Sequence, residues 1–274
     1  MLESRGEEDT QAVAAPLTVE QAIANLKSED LSLRYYAAWW LGRFRVSERA
    51  AIEALIAALS DEDYRTELGD YPLRRNAARA LGKLGDRQAV PELIRTLDCS
   101  DFYVREAAAQ SLEMLRDPSA IPALMEFLAG GVAAAIQVPG RPHLTQPYDS
   151  VIEALGSLQA KAAVPEIEPF INHPMPKVQY AALRAMYQLT GNDAFGQRLM
   201  AGLSSNDLKV RRLVLADLGA IGYLPSSEAI AHCAVENSFK LFALKGLLEH
   251  QLQPEQTQLS DAAIGIMNLM DGLL

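Results

Sequence analysis

LRRNAARALGKLGDRQAVPELIRTL, residues 73–97, contains the pattern that decides the fold. Its first half is a phrase in which an arginine is followed by small or apolar residues at offsets +4, +7 and +8: Arg74, Ala78, Leu81 and Gly82. Residues at these offsets lie on one face of a helix. The second half, AVPELIRTL (89–97), is amphipathic and carries a proline in its first turn, where the missing N–H removes no hydrogen bond. The stretch therefore predicts a hairpin of two helices.

The same phrase recurs along the chain. Clear copies begin at Arg34, Arg105 and Arg211, and weaker copies begin at Tyr148, Gln179 and Lys240. Successive starts are 40, 31, 43, 31, 32 and 29 residues apart. A period near 31 residues, with two helices per unit and no alternating strand pattern, is typical of a HEAT-like α-solenoid. We predict an all-α superhelix of about six to seven helical hairpins.

The two longer steps locate two insertions, at 61–73 and 129–147, and the ends of the chain differ from the repeats. Residues 1–16 are acidic and aperiodic, which predicts a disordered N-terminal tail before a solenoid over 17–274. A polar run precedes a last helix near 260–272, which we expect to cap the array or to dock a partner.

The composition limits the possible functions. The 274 residues carry 25 basic and 35 acidic side chains, a net charge of −10, which disfavours binding to the phosphate backbone of nucleic acids. Two cysteines exclude a disulfide scaffold and a multi-cysteine metal site. The sequence contains neither an apolar run long enough to span a membrane nor a signal-peptide pattern. We expect a cytoplasmic protein with no bound metal, no cofactor, and no nucleic-acid or membrane partner.

Motifs of the common enzyme classes are also missing from the sequence. It contains no phosphate-binding P-loop and no GxGxxG, HExxH or GxSxG pattern. The four histidines are scattered, and Cys99 and Cys233 are better explained by packing than by reactivity. These observations alone favour an interaction scaffold.

An aromatic run, RYYAAWWLGRF (34–44), departs from that simple interpretation. On a helix, Tyr35, Trp39 and Phe44 share one side, whereas Tyr36 and Trp40 share the next. One stripe fits a helical core, but two adjacent stripes exceed what a single groove between helices needs. Part of the run, with Trp39 and Trp40 as candidates, is therefore either core or a surface for a partner or a flat ligand.

Both insertions combine arginine, tyrosine and acidic residues. The first insertion and the residues after it supply Asp61, Asp63, Tyr64, Arg65, Asp70, Tyr71, Arg74 and Arg75. Tyrosine and arginine together suit a planar anionic ligand, although the arginines could equally pair with the acids of their own loop. The second insertion and the residues after it supply Arg141, His143, Tyr148 and Asp149, a set able to transfer protons near neutral pH.

The repeats, taken with the aromatic run and the first insertion, carry a family resemblance. The runs RYYAAWWLGRFRV, YRTELGDYPLRRNAARALGKLGD and VREAAAQSLEML resemble the HEAT-like repeats of phycobilin lyases, in particular the α subunits of the heterodimeric E/F-type phycocyanobilin lyases. The resemblance covers residues from about 17 to about 250. It implies a lyase that joins phycocyanobilin, its substrate, through a thioether to a cysteine of the phycocyanin α chain during phycobilisome maturation. It also implies a homologous second subunit, without which the chain is inactive.

The implied reaction gives each candidate a role. Clamps for the two bilin propionates are Arg65, Arg74, Arg75 and Arg141. Stacking faces are Trp39, Trp40, Tyr64, Tyr71 and Tyr148. Carboxylates that could protonate or hydrogen-bond the tetrapyrrole are Asp61, Asp63, Asp70 and Asp149, and His143 could accept the thiol proton. Two alternatives remain open, a non-catalytic repeat scaffold and a bilin-carrying chaperone in phycobilisome assembly or turnover.

Overall fold

A computed structural model of the chain describes residues 17–252 and 258–274, and the predicted acidic tail at 1–16 lies outside these ranges. In the described part, sixteen α-helices follow one another without a strand. They are α1 (Val19–Asn25), α2 (Leu31–Arg43), α3 (Arg49–Ala58), α4 (Pro72–Leu84), α5 (Val90–Thr96), α6 (Phe102–Leu115), α7 (Ile121–Glu126), α8 (Gly131–Ala134), α9 (Tyr148–Ser157), α10 (Val164–Ile167), α11 (Pro176–Thr190), α12 (Asp193–Ala201), α13 (Leu208–Ile221), α14 (Ser227–His232), α15 (Asn237–Gln251) and α16 (Asp261–Asp271).

The helices form two layers. The phrase copies become the long helices α2, α4, α6, α9, α11, α13 and α15, each packed against the next along the chain. The proline-opened segments become shorter helices in the second layer. Ala and Leu side chains at the +4 and +7 positions of the phrase are buried between the layers, for example Ala78 at 0% and Leu81 at 1% exposure. Seven helices formed by the phrase copies, each followed by at least one helix of the second layer, agree with the predicted number of hairpins.

The arginine that opens each clear phrase copy ties the long helix to the linker before it. Its guanidinium donates to a backbone carbonyl at 2.5 to 2.7 Å: Arg34 to Ser28, Arg74 to Asp61, Arg105 to Cys99 and Arg211 to Ser205. Gln179 makes the same connection to Ile171 at 3.3 Å. The repeated arginine therefore satisfies linker carbonyls that the helices cannot reach, which is a structural role.

The glycine at +8 sets the distance between neighbouring long helices. A Cβ built on Gly156 of α9 would lie 2.8 Å from the Cα of Ala185 in α11, closer than atoms in proteins approach. Gly42 of α2 stands in the same relation to Ala80 of α4, with 2.7 Å between the built Cβ and the Cα. At these positions glycine is required because the two backbones are almost in contact.

Both insertions follow a short helix and precede a long one, which places them on the same rim of the solenoid. The second insertion contains α8 and a tight hairpin closed by an isolated bridge between Gln137 and Leu144. It is fixed to the repeats by Arg105, which donates to the carbonyl of Thr145 at 3.1 Å, and by His173, whose Nε2 lies 3.3 Å from the carbonyl of Ala135. The segment is thus an ordered part of the fold.

The last helix, α16, covers the end of the hydrophobic core. It packs against α14 and α15 through Ala263 and Ile266, which are 0% and 1% exposed. On its other side Ile264 and Met267 remain more than 40% exposed. The position of α16 over the core is what we expect of a cap. Its apolar outer side could also dock a partner, which stays a prediction. None of the helices in the described ranges has the length and apolar character needed to cross a membrane.

Candidate functional site

A groove crosses the face of the long-helix layer. It has a volume of about 860 Å³ and is lined by residues of five successive long helices, from α6 to α15. Its walls include Met114 and Phe242, whose side chains are 54% and 68% exposed, and its floor includes Arg184. Most of the other lining residues are polar or charged, so a ligand in the groove would meet both apolar surface and hydrogen-bonding groups.

Charged residues from four of these helices meet at the floor of the groove. The guanidinium of Arg184 lies 2.6 Å from Glu113, 3.7 Å from Glu153 and 3.5 Å from Asp217. Ser157 donates a further hydrogen bond of 2.7 Å to Glu113. Three carboxylates therefore share one cation among side chains that are at most 20% exposed. Glu113, Glu153, Arg184 and Asp217 are called the Arg184 cluster below.

The shortage of positive charge changes the acid–base properties of the cluster. Burial raises the pKa of Glu153 to about 8, because the attraction of Arg184 offsets only part of the lost solvation. Burial likewise raises the pKa of Asp217 to about 6, against the same attraction. At neutral pH the cluster therefore holds a proton, mainly on Glu153.

Glu153→Gln should make the protein relatively more stable as the pH rises. A carboxyl whose pKa is raised by folding contributes stability below its ordinary value of 4.5 and loses that contribution as the pH rises through about 8. Glutamine has no such loss, so the variant should gain roughly 4 kcal/mol of unfolding free energy on the wild type between pH 5 and pH 9. Urea unfolding at the two pH values measures this gain, and a pH-independent difference would contradict the assignment of the proton to Glu153.

A smaller notch, of about 160 Å³, opens beside the second insertion. It is lined by His143 and Asp149 together with Glu106 and Lys177, and the Nζ of Lys177 lies 2.5 Å from Asp149 and 3.5 Å from Glu106. On α6 and α11, Glu106 and Lys177 each precede a member of the Arg184 cluster by seven residues, which is two helical turns. The notch and the groove therefore lie on one strip of surface.

His143 is held in the notch with one ring nitrogen available. Its ring stacks on Phe102, with centroids 4.0 Å apart and planes within 10°, and its Nδ1 lies 2.8 Å from the carbonyl oxygen of Leu144. Because a carbonyl oxygen only accepts, Nδ1 carries the proton of the neutral ring and Nε2 keeps its lone pair. The structure thus brings two sequence candidates, His143 and Asp149, into one site, with a nitrogen able to accept a proton.

The basic and aromatic candidates of the first insertion mostly contact one another. The guanidinium of Arg74 lies 4.1 Å from the ring centre of Tyr71 and pairs with Glu62, while Arg65 lies 5.4 Å from the same ring. Tyr71 is only 6% exposed, and Tyr64 is half-buried against the core. Of the two arginines, Arg74 is held by these contacts, whereas Arg65 remains exposed.

The acidic candidates of the first insertion are also engaged locally. Asp61 accepts hydrogen bonds from Arg34 at 2.7 Å and from the backbone N–H of Tyr64 at 2.9 Å. Asp63, which is 76% exposed, lies 3.2 Å from Arg34, and the backbone of Asp70 bonds to Thr66 at both its N–H and its carbonyl. The pairing of Arg74 with Glu62 fits the alternative in which the arginines pair with acids of their own loop, whereas Asp61 and Asp63 pair with Arg34 of α2.

Three other candidates lie in different surroundings. Tyr148 is 2% exposed and stacks on Phe170, so it is a core residue that a ligand cannot contact in this conformation. Arg75 lies 5.9 Å from the ring centre of Tyr103, which lines the notch. Arg141 is half-buried at the turn of the second insertion, where its N–H bonds to the carbonyl of Val138.

The aromatic run on α2 lies mainly on the surface. Tyr35, Tyr36, Trp39 and Phe44 are between 37% and 60% exposed, and the rings of Tyr36 and Trp39 are 5.5 Å apart. Trp40 is half-buried and packs against the core. Of the two tryptophans, only Trp39 therefore offers its face to another molecule.

Comparison with known proteins identifies the family of this scaffold. The family model of the PBS lyase HEAT-like repeat matches residues 33–61, and that of HEAT repeats matches residues 66–137. Phycocyanobilin lyase subunit alpha of Nostoc sp. (strain PCC 7120) is 64% identical over 276 residues, with 100% of both chains covered. The chain belongs to the phycocyanobilin lyase α-subunit family. The predicted fold class and the predicted enzyme class, a lyase subunit, are both confirmed.

Other members of the family and a solved structure agree. The α subunit of Thermosynechococcus vestitus is 58% identical over 97% of this chain and 99% of its own. The bilin biosynthesis protein PecE of Nostoc is 42% identical over 94% and 96%. The structure of the complex of CpcE and CpcF of phycocyanin lyase from Nostoc sp. PCC7120 matches with a TM-score of 0.90 at 63% identity, covering 99% of this chain and 100% of that chain.

Sequence reasoning missed the most concentrated charges of this lyase subunit, which are the Arg184 cluster and Lys177. A signal exists for only two of them, Glu153 and Arg184, which belong to the set of residues five positions after each phrase start. These residues are Trp39, Arg79, Gln110, Glu153, Arg184, Ala216 and Lys245, of which the last three line the groove. Among residues 17–252 and 258–274, no three His, Cys, Asp or Glu side chains are placed to hold a metal ion.

Proposed function

We propose that this chain acts with a homologous second subunit to attach phycocyanobilin, through a thioether, to a cysteine of the phycocyanin α chain. The observation that carries the proposal is the 64% identity to a phycocyanobilin lyase α subunit along the whole of both chains. The match to a chain in the complex of CpcE and CpcF supports the two-subunit form. A cytoplasmic location fits this role and stays a prediction.

The long-helix face is our proposed site for the bilin. The groove volume of about 860 Å³ lies within the range of ligand pockets, roughly 300–1,000 Å³. Phe242 and Met114 supply apolar contacts for the conjugated rings, and Arg116 and Lys245 supply cations for propionates. The notch continues the same strip with His143 and Asp149. Three arginines nearer the rim remain candidates for binding the propionates. They are the exposed Arg65 and the half-buried Arg75 and Arg141.

The reaction needs positioning and one proton relay. The S–H bond of the acceptor thiol breaks, sulfur bonds to the ethylidene carbon of ring A, and the adjoining ring carbon gains a hydrogen in place of the double bond. Atoms and electrons balance with no oxidant or reductant. Nε2 of His143 takes the thiol proton and returns it to the ring carbon, while Asp149, fixed by Lys177, accepts a hydrogen bond from the tetrapyrrole.

His143→Gln should lower the rate of bilin transfer about 100-fold, because glutamine keeps the size of the side chain but cannot accept the thiol proton. Bilin binding should change little. The rate is followed by the zinc-induced fluorescence of the covalent product on the phycocyanin α chain, with the second subunit present. His232→Gln, at a side chain that is 79% exposed on α14, is the matched control. Equal rates for the two variants would remove His143 from the reaction.

A reconstitution experiment separates this function from the two alternatives. The chain is mixed with phycocyanobilin and the phycocyanin α chain, with and without the second subunit. Covalent, zinc-fluorescent product that requires both subunits is the expected result. A spectral shift of the bilin without covalent product would support a carrier, and the absence of any spectral change would support a scaffold.

A further inference from the structure

The Arg184 cluster is short of positive charge and contains buried polar atoms that have no hydrogen-bond partner in the described part of the chain. Asp217 is 2% exposed, and its Oδ2 has no hydrogen-bond partner among the described residues. Its Oδ1 lies 3.5 Å from Arg184, which at the same time faces Glu113 and Glu153. The Nε of Arg184 is also buried and without a partner among the described residues, so the guanidinium faces three acids without satisfying all of their oxygens or all of its own N–H groups. Buried polar atoms without partners are costly.

Glu113 is the member of the cluster that connects it to the groove. Its Oε1 accepts both the 2.6 Å bond from Arg184 and the 2.7 Å bond from Ser157. Its Oε2 accepts no hydrogen bond from the described residues, and Glu113 lines the groove while Glu153 and Asp217 lie behind it. The carboxylate is thus oriented through one oxygen and available through the other.

The residues around Glu113 indicate which kind of ligand would fit in the groove and donate a hydrogen bond to this carboxylate. Met114 and Phe242 offer exposed apolar surface to a flat conjugated molecule. Arg116 and Lys245 are exposed cations that suit a carboxylate on the same molecule. A ligand with N–H donors at its centre, carboxylates at its edge and a flat apolar body matches these three features together.

We infer that Glu113 accepts hydrogen bonds from the pyrrole N–H groups of the bilin, with Arg184, Glu153 and Asp217 behind it fixing its position and charge. This inference rests on the proposed function and adds to it the carboxylate that binds the centre of the tetrapyrrole. Because Arg184 is shared among three acids, Glu113 is only partly neutralised and remains a strong acceptor. Hydrogen bonds to a charged acceptor are worth about 1.5–3 kcal/mol, which corresponds to at least about tenfold in affinity.

The test is titration of the full chain with phycocyanobilin, followed by the visible absorption of the bilin. Glu113→Gln should weaken binding at least about tenfold and reduce the spectral shift, since the acceptor loses its charge. Glu53→Gln is the control, because Glu53 is an exposed carboxylate on α3 that pairs with Arg49 and lies outside the groove. Its affinity should stay within about twofold of the wild type. Circular dichroism confirms that each variant is folded.

The possible outcomes test the role of Glu113 and the proposed function separately. Equal affinities for the wild type and Glu113→Gln, with an unchanged spectrum, would overturn the role of Glu113 even if the wild type transfers bilin normally. Failure of the wild type to transfer bilin with the second subunit present would instead overturn the proposed function. If Glu113→Gln does not fold, Glu113→Met, which removes the carboxylate, replaces it, and wild-type affinity in that variant counts equally against the inference.

Discussion

Arg184→Met should lower the free energy of unfolding by about 3–5 kcal/mol at neutral pH. The substitution keeps the length of the side chain but removes the cation that Glu113, Glu153 and Asp217 share. Uncompensated buried charge, rather than lost contact area, is the source of the cost. Since the carboxylates can take up protons, the deficit should shrink at pH 5. Urea unfolding followed by circular dichroism at the two pH values measures both effects.

The control for this prediction is Arg212→Met on α13. Arg212 pairs with Glu236 at the surface, where the two side chains are 33% and 50% exposed, so its loss should cost no more than about 1 kcal/mol. Adding Asp217→Asn to Arg184→Met should recover part of the stability, because one fewer buried carboxylate then lacks a cation. A loss below about 1 kcal/mol in Arg184→Met would show that the cluster tolerates three acids without it.

Gly156→Val should lower the free energy of unfolding by roughly 2–3 kcal/mol. A Cβ at this position would meet the Cα of Ala185 at 2.8 Å and its Cβ at 2.9 Å. No rotamer relieves a contact with backbone, so α9 and α11 must move apart, and the burial between them decreases. Thermal and urea unfolding should both report the loss.

The matched control for the glycine is Gly265→Ala on α16. A Cβ at Gly265 meets no atom within 4 Å, so alanine should stabilise the protein by about 0.5–1 kcal/mol through its higher helix propensity. Equal melting temperatures for Gly156→Val and the wild type would mean that the spacing of the long helices is not set by glycine.

The fold was predictable because its determinants lie close together in sequence. Arg74, Ala78, Leu81 and Gly82 fall within three helical turns, and each acts locally. The arginine attaches the linker, the alanine and leucine are buried, and the glycine allows a close approach of helices. Repetition of that phrase sets the stacking of the units, since each unit contacts mainly its neighbours. The same regularity located both insertions as departures from the period.

The candidate site was less predictable because its groups come from separate units. Glu113, Glu153, Arg184 and Asp217 lie on four helices, and nothing in any one of those helices marks its acid or arginine as a member of a cluster. Residue type alone also gave two candidates that are not available to a ligand. Arg74 has the chemistry of a ligand clamp but bonds to Asp61 and Glu62, and Tyr148 has that of a stacking face but is buried.

The position of the insertions on one rim separates two requirements of the molecule. The spacing of the long helices depends on buried alanine, leucine and glycine, whereas the second insertion joins the repeats through a few contacts, which are the buried Ala135 and Leu144 and the bonds from Arg105 and His173. The rest of residues 129–147 lies outside the repeating units. Changes in that part of the segment would alter the surroundings of His143 and the notch while leaving the glycine contacts between the long helices in place, so selectivity and stability can vary largely independently in this architecture.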